Sequence, residues 1–305
     1  MKFFPFIFLN PNSLTSKKVI SYFNKKQTSF FSTKKKDFSQ ILLDQINKGQ
    51  REFLICGGDG TLNNFINNFM KLKSNKRKKV ILSILPCGKA NDLARELNIP
   101  LNIEEIFDGI YQTKIKNIDL IRVNSNYFVT GGGLGLPTQV IESLNASKSR
   151  KVQSNLMNDF VYYFHVLKKI LFGYDGVLIR KINSRIINQP QMLLAVCNQG
   201  FIGKRFMLSP KSVNDDGKFE ICIIKKPKTI FKDFKMVQEV IKGQHINDKS
   251  IFYQSFNKIN IKTKKKSFFM ADGELLDYSN EFKIQNIPKE LTVRYYGFSS
   301  TKKSE

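Results

Sequence analysis

Apolar runs and stretches of helical spacing alternate over the first 115 or so residues. The run 3–9 reads as an apolar strand, and 14–24 as a helix with Val19, Tyr22 and Phe23 on one side. A short strand is expected over 29–32. Asp37 can cap a following helix in which Phe38, Ile41, Leu42, Gln45 and Ile46 keep helical spacing and Gly49 ends it. Residues 53–56 form the next strand. Leu62, Phe65, Ile66, Phe69 and Met70 then recur at i, i+3, i+4, i+7 and i+8, one helix face. A strand over 80–85, a loop over 86–89 and a helix over 90–97 complete the series. Repeated strand–helix units predict a doubly wound parallel sheet with helices on both faces. Ligands of such sheets bind beyond the carboxyl ends of the strands, the edge to which loops 10–13, 57–61 and 86–92 belong.

From residue 118 the pattern changes. Strand-like runs crowd the chain at 118–123, 127–130, 177–182, 192–197, 219–224, 258–262, 267–270, 282–284 and 291–295. Their spacing predicts an antiparallel sandwich or barrel. Helical stripes interrupt it at 152–171 and 229–242. Gly131-Gly132-Gly133-Leu134-Gly135 fits no dinucleotide fingerprint and reads as a glycine-rich bend. The expected organisation is an α/β domain over 1–117, a β-rich, sandwich-like domain over 118–288, and 289–305 as a closing strand with a polar tail from Ser299.

The chain has 305 residues, room for two domains, and its 41% apolar content can support real cores. Lys and Arg number 50 against 25 acids, a net charge of +25. Such a surface attracts anionic lipid or polyphosphate. The lysines are scattered through Lys17-Lys18, Lys34-Lys35-Lys36 and Lys264-Lys265-Lys266, as on solvated loops, and no nucleic-acid recognition signature is present. Cys56, Cys87, Cys197 and Cys222 lie in or beside apolar runs with no CxxC pair, which argues for buried thiols in a reducing cytoplasm and against zinc or a disulfide framework. The apolar start resembles a signal peptide only superficially: Pro5 interrupts it, and Asn10-Pro11-Asn12 follows instead of a small-residue cleavage site. No apolar run reaches the length of a membrane span.

The chemistry concentrates at Gly57-Gly58-Asp59-Gly60-Thr61, between strand 53–56 and the helix face beginning at Leu62. Glycines let backbone approach a phosphate without a Cβ clash. A helix starting near Thr61 offers amides and the positive end of its dipole. Asp59 sets a carboxylate beside that phosphate, where Mg2+ could sit. Other acids have plainer readings: Asp92 as an acid complementing a helix dipole, Asp215-Asp216-Gly217 as a surface turn, Asp272-Gly273 as a hairpin turn. The two histidines, His165 and His245, stand far from these motifs.

Four motifs in order resemble the diacylglycerol kinase catalytic-domain superfamily, specifically its soluble bacterial lipid kinases. They are Gly57 to Asn63; Pro86-Cys87-Gly88-Lys89-Ala90-Asn91-Asp92-Leu93-Ala94-Arg95; Ser209-Pro210 with Asp215-Asp216-Gly217-Lys218-Phe219; and Asp272-Gly273-Glu274. The resemblance implies ATP, Mg2+ and a lipid hydroxyl acceptor, with the active site in a cleft between two domains. It places Asn10, Pro11, Asn12, Ser13, Thr33, Gly57, Gly58, Asp59, Gly60, Thr61, Leu62, Asn63, Asn64, Gly88 and Lys89 against nucleotide. Asp59 and Asp92 would serve the catalytic Mg2+. Asp216, with the carbonyls of Val213 and Lys218, would hold a structural one. Glu274 would take the proton of the lipid hydroxyl, with Asp272 as alternative or support; sequence does not divide the work among Asp272, Glu274 and Asp59. The chain departs from the family at Lys89, where Thr is usual, and at Asn64, which replaces a Glu. Phe201, Ile202, Phe206, Met207 and Leu208 around Gly203-Lys204-Arg205 would suit an acyl chain at a membrane surface. The expected function is a cytoplasmic, peripherally membrane-associated kinase of diacylglycerol or a related lipid alcohol, with an anionic membrane as partner, a homodimer as one option and no nucleic-acid partner. The rivals are an NAD kinase and a catalytically silent lipid-binding protein.

Overall fold

The computed structural model describes residues 5–33, 38–109, 113–148, 158–187 and 189–296; the side chains of 108, 145–148, 158–163 and 185 are not described. Lys34 to Lys36, the Asp37 cap, the first residues of the 152–171 stripe and the tail from Ser299 lie outside the described residues. The chain divides into two compact units, residues 1–118 with 289–305, and residues 119–288.

The first unit contains β1 (Phe6–Leu9), α1 (Ser16–Lys25), β2 (Phe31–Ser32), α2 (Phe38–Asn47), β3 (Glu52–Gly57), α3 (Asp59–Phe69), α4 (Ser74–Arg77), β4 (Ile81–Pro86), α5 (Asp92–Glu96) and α6 (Ile103–Gly109). Its strands run parallel in the order β2-β1-β3-β4, and Thr292 and Val293 of β14 (Glu274–Tyr295) add a parallel pairing with Ile81 and Leu82. From Phe53 to Gly57 every residue of β3 is buried, as a strand covered on both faces requires. Phe8, Phe38, Phe53 and Phe65 pack ring against ring beneath it, with centroids 4.6 to 6.4 Å apart. The order reverses between β1 and β3, so their carboxyl-end loops flank the switch point.

The second unit adds the end of β5 (Lys114–Val123), β6 (Asn126–Phe128), β7 (Gly131–Gly135), α7 (Leu136–Lys148), α8 (Asn158–Phe172), β8 (Val177–Ile182), β9 (Arg185–Ile186), β10 (Pro190–Cys197), β11 (Phe219–Lys225), α9 (Ile230–Lys242), β12 (Phe252–Phe256), β13 (Lys258–Ala271) and most of β14. Antiparallel pairing runs β12-β11-β10-β7-β13-β14. Leu194 and Val196 of β10 and Ile221 and Ile223 of β11 point into a strand-lined core. Their alternates Leu193, Ala195, Cys222 and Ile224 join Val140, Val166, Ile170, Val237 and Val240 of the helices. That two-sided burial is why these strands read as unbroken apolar runs.

Several expectations change. The glycine run 131–135 is a strand, not a bend. A Cβ on Gly132 would fall 2.5 Å from the Met270 carbonyl oxygen, and one on Gly133 (φ +155°) 2.0 Å from that of Leu194. Glycine is what lets β7 fit between β10 and β13. The runs 258–262 and 267–270 are one strand, β13, with a register shift between Lys262 and Ser267. Helix α3 begins at Asp59 rather than Thr61, and α5 at Asp92 rather than Ala90.

Candidate phosphate-binding site and apolar cavity

In the first unit three loops meet at the carboxyl edge of the sheet. Gly58, extended at φ −97°, caps α3 without a side chain. An alanine Cβ there would fall 2.7 Å from the Cα of Gly88, and one on Gly88 2.4 Å from the Cα of Gly58. The glycine turn and the 86–91 loop therefore touch backbone to backbone. The Asp59 carboxylate locks them, with Oδ2 accepting from the Asn91 amide at 2.9 Å and Oδ1 from the Asp92 amide at 2.7 Å. Asn91 sits in the left-handed region (φ 52°), and its side chain folds back on Gly88 through both Oδ1 and Nδ2, closing the loop. The third loop joins through Asn10, whose Nδ2 donates to Thr61 Oγ1 at 2.8 Å. Asn10 Oδ1 accepts the Asn12 amide, and Ser16 Oγ donates to the carbonyls of Pro11 and Ser13. The Thr33 amide donates to the Leu9 carbonyl, which fixes the end of β2 beside β1.

The helix start at Asp59 has a consequence for anion binding. The amides of Thr61 and Leu62 both turn back to the Gly58 carbonyl. Those two amides are therefore engaged within the turn. Leu62 and Asn63 are buried, whereas Asn64 is exposed and its Oδ1 accepts from Asn68 along the helix. Lys89 is exposed at the tip of its loop. Burial pushes the Cys87 thiol up to about 11 and the Cys56 thiol upward as well, so neither thiol beside this turn is a ready nucleophile.

The second unit holds the other acids. Asp272 opens the β13–β14 hairpin turn at φ 48° and is 5% exposed. Its Oδ2 accepts the Val129 amide at 3.1 Å; its Oδ1 accepts the Thr130 amide at 3.0 Å and the Thr130 hydroxyl at 2.6 Å. Glu274, two residues on, is exposed. Asp216 Oδ1 accepts the Lys218 amide, and the Lys218 carbonyl accepts Asn286 Nδ2 at 3.0 Å. Val213 is exposed. Asp119, which sequence reasoning passed over, is fully buried; its Oδ2 accepts the Gly217 amide at 2.7 Å and Asn286 Nδ2 at 3.3 Å. The signal was an acid inside the apolar run 118–123. His245 is buried with Nε2 3.2 Å from the Leu208 carbonyl oxygen, and His165 Nδ1 lies 2.8 Å from Ser143 Oγ.

Mg2+ fits the first cluster by its donor set. Among the described residues no group of three or more His, Cys, Asp or Glu could hold a metal. The Asp59 carboxylate meets Asp92 at its backbone amide, with Asp59 partly buried and Asp92 buried, and Mg2+ is ordinarily held by one or two carboxylates with phosphate and water completing its shell. At the 213–218 turn Asp216 Oδ1 accepts the Lys218 amide and the Lys218 carbonyl accepts Asn286 Nδ2, single bonds that leave each oxygen a further lone pair for an ion.

An apolar cavity of about 50 Å3 with an open mouth lies within the second unit. Val166 of α8, Met236, Val237 and Val240 of α9, and Ile202 and Phe206 of the intervening loop line it. No helix among the described residues is long and apolar enough to cross a membrane.

Glycine loops meeting at the switch point of a parallel sheet, followed by a β-rich unit, define an α/β phosphate-binding class with a sandwich-like partner domain. The chain belongs to the diacylglycerol kinase family: residues 6–123 match the diacylglycerol kinase catalytic domain, and residues 139–294 match the YegS C-terminal NAD kinase beta sandwich-like domain. A diacylglycerol kinase of Bacillus subtilis (strain 168) is 27% identical over 228 residues, covering 73% of this chain and 72% of its own. One of Staphylococcus carnosus (strain TM300) is 27% identical over 250 residues, covering 81% and 78%. A crystal structure from Bacillus anthracis strain Sterne covers 95% of this chain and 94% of its own with a TM-score of 0.74 at 20% identity, a likeness of fold.

Proposed function

We propose that the chain is an ATP- and Mg2+-dependent kinase that phosphorylates the hydroxyl of diacylglycerol or a related lipid alcohol, working peripherally at the cytosolic face of a membrane. The observation that carries this reading is the Gly58–Gly88 backbone contact locked by Asp59. Only glycines permit it, and it brings two helix N-termini and two carboxylates to one edge. Amides of the 57–61 turn would orient the triphosphate and stabilise charge on the transferring group. Mg2+ held by Asp59 and Asp92 would neutralise the phosphate oxygens. The lipid oxygen forms its bond to the γ-phosphorus as the β–γ bridge breaks, ADP leaves, and the hydroxyl proton passes to a carboxylate. Glu274 suits that role better than Asp272, because it is exposed whereas three donors already occupy Asp272. The apolar cavity favours a hydrocarbon-bearing acceptor over NAD. Incubating the protein with ATP, Mg2+ and fractionated lipids, with NAD in parallel, tests the reading by mass spectrometry. A phosphorylated lipid alcohol is expected. Phosphorylated NAD alone, or lipid binding without turnover, contradicts it.

A further inference from the structure

The helices that line the apolar cavity also present a bare apolar corner to solvent. Helix α8 ends in Leu171 and Phe172, 55% and 82% exposed; α9 begins with Ile230 and Phe231, 46% and 86% exposed. One polar pin holds the two segments together. Tyr174, two residues past Phe172, donates its hydroxyl to Asp233 Oδ1 at 2.6 Å, and Asp233 stands two residues past Phe231. Lys226 Nζ donates to the Tyr174 carbonyl at 2.6 Å and lies 4.6 Å from the centre of its ring. Asp233 and Tyr174 are themselves buried, so the corner is built and not frayed.

Cations surround these side chains in sequence. Lys168 and Lys169 precede Phe172 by four and three residues, the spacing that puts neighbours on one helix surface. Lys228 leads into α9, and Lys232 and Lys235 follow Phe231; all three are exposed. The acids nearby are the buried Asp233, exposed Asp175 and Glu239, which pairs with Lys235 at 3.7 Å. Four large exposed apolar side chains, with lysines close in sequence on both helices, match the chemistry of an anionic bilayer surface: hydrocarbon below, phosphate around. A second copy of the chain would bring the same lysines against themselves.

We propose that the α8–α9 corner is the membrane-docking surface, with Phe172 and Phe231 entering the acyl boundary and Lys168, Lys228 and Lys232 meeting anionic headgroups. This rests on the lipid-kinase reading for its purpose, since it sets the helices lining the cavity on the lipid surface. Binding is measured without ATP, by co-sedimentation with phosphatidylcholine vesicles with and without 30% phosphatidylglycerol, a composition of about one anionic lipid in three. The wild-type chain should bind the anionic vesicles only, and weaken with salt. The double variant Phe172→Glu/Phe231→Glu should bind at least about tenfold less, while keeping its melting temperature, because both rings are exposed. Leu101→Glu, at a 73% exposed leucine of the first unit, should bind like the wild type. On short-chain diacylglycerol dispersed as monomers the double variant should turn over like the wild type, and on vesicles it should fall. If no lipid is phosphorylated yet the binding contrast holds, docking stands and the kinase reading falls. Equal vesicle binding by wild type and double variant overturns the proposal. So does a wild-type dimer that the double variant abolishes, which would assign the corner to a second copy.

Discussion

Asp59 and Asp272 are held in the same way and differ in what is left over. Each carboxylate spreads its two oxygens over two successive amides of another segment, Asn91 and Asp92 for the first, Val129 and Thr130 for the second. Asp59 is only partly buried, beside two glycines that touch. Asp272 is buried and also receives the Thr130 hydroxyl, while its own amide donates to the Gly131 carbonyl. A clasped carboxylate is therefore not by itself a mark of chemistry. Exposure and the space around it separate a ligand-binding acid from one that anchors a strand.

The largest break in that comparison should come from Asp272→Ala. It strands two buried amides and a hydroxyl and removes a residue type tolerant of φ 48°. We expect about 3 kcal/mol or more of lost stability by urea denaturation, whereas Glu274→Gln should leave the urea midpoint unchanged and lower turnover about 100-fold. Next comes Gly58→Ala. Its Cβ would force the glycine turn off Gly88, and nucleotide affinity by calorimetry should fall about tenfold or more, with about 1–3 kcal/mol of stability lost to overpacking. A smaller effect should separate the two units' acids by pH. Glu220 is buried, and burial raises its carboxyl above the ordinary range although Ser212 and Ser255 donate to it. The native state thus holds this proton to higher pH than the unfolded chain. Its favourable contribution is full below the ordinary carboxylate pKa, about 4, and is lost as pH rises through the native value. Melting temperatures from about pH 4 to about pH 8 should show that slope shrinking in Glu220→Gln.

Much of this was legible in the residues. Helical spacing at Leu62, Phe65, Ile66 and Phe69 found α3, and all four side chains are buried. The alternation of strand and helix located the loops that converge around Asp59. What escaped was structure written without side chains or through short caps. Glycines 131–133 carry no hydrophobic signal, yet their bareness is what admits β7 between its neighbours. Helix α6 was overlooked although Asn102 Oδ1 accepts the Glu104 amide at 2.8 Å, an ordinary cap. Helix α7 follows the glycine strand directly and opens with Leu136-Pro137, where proline suits a first turn. Asp119 was hidden by its neighbours: amid apolar residues it reads as one polar position in a strand, and only the fold brings Gly217 and Asn286 to its carboxylate.

The central claim is that Asp59 serves phosphoryl transfer and not merely the joining of two loops. Transfer of the γ-phosphate of ATP to diacylglycerol should be followed for the wild type and for Asp59→Asn, with the melting temperature of each recorded. The account predicts labelled lipid from the wild type and about 100-fold less or lower from the variant, with a stability loss of about 1 kcal/mol from the weakened cap. Undiminished transfer by Asp59→Asn would contradict it.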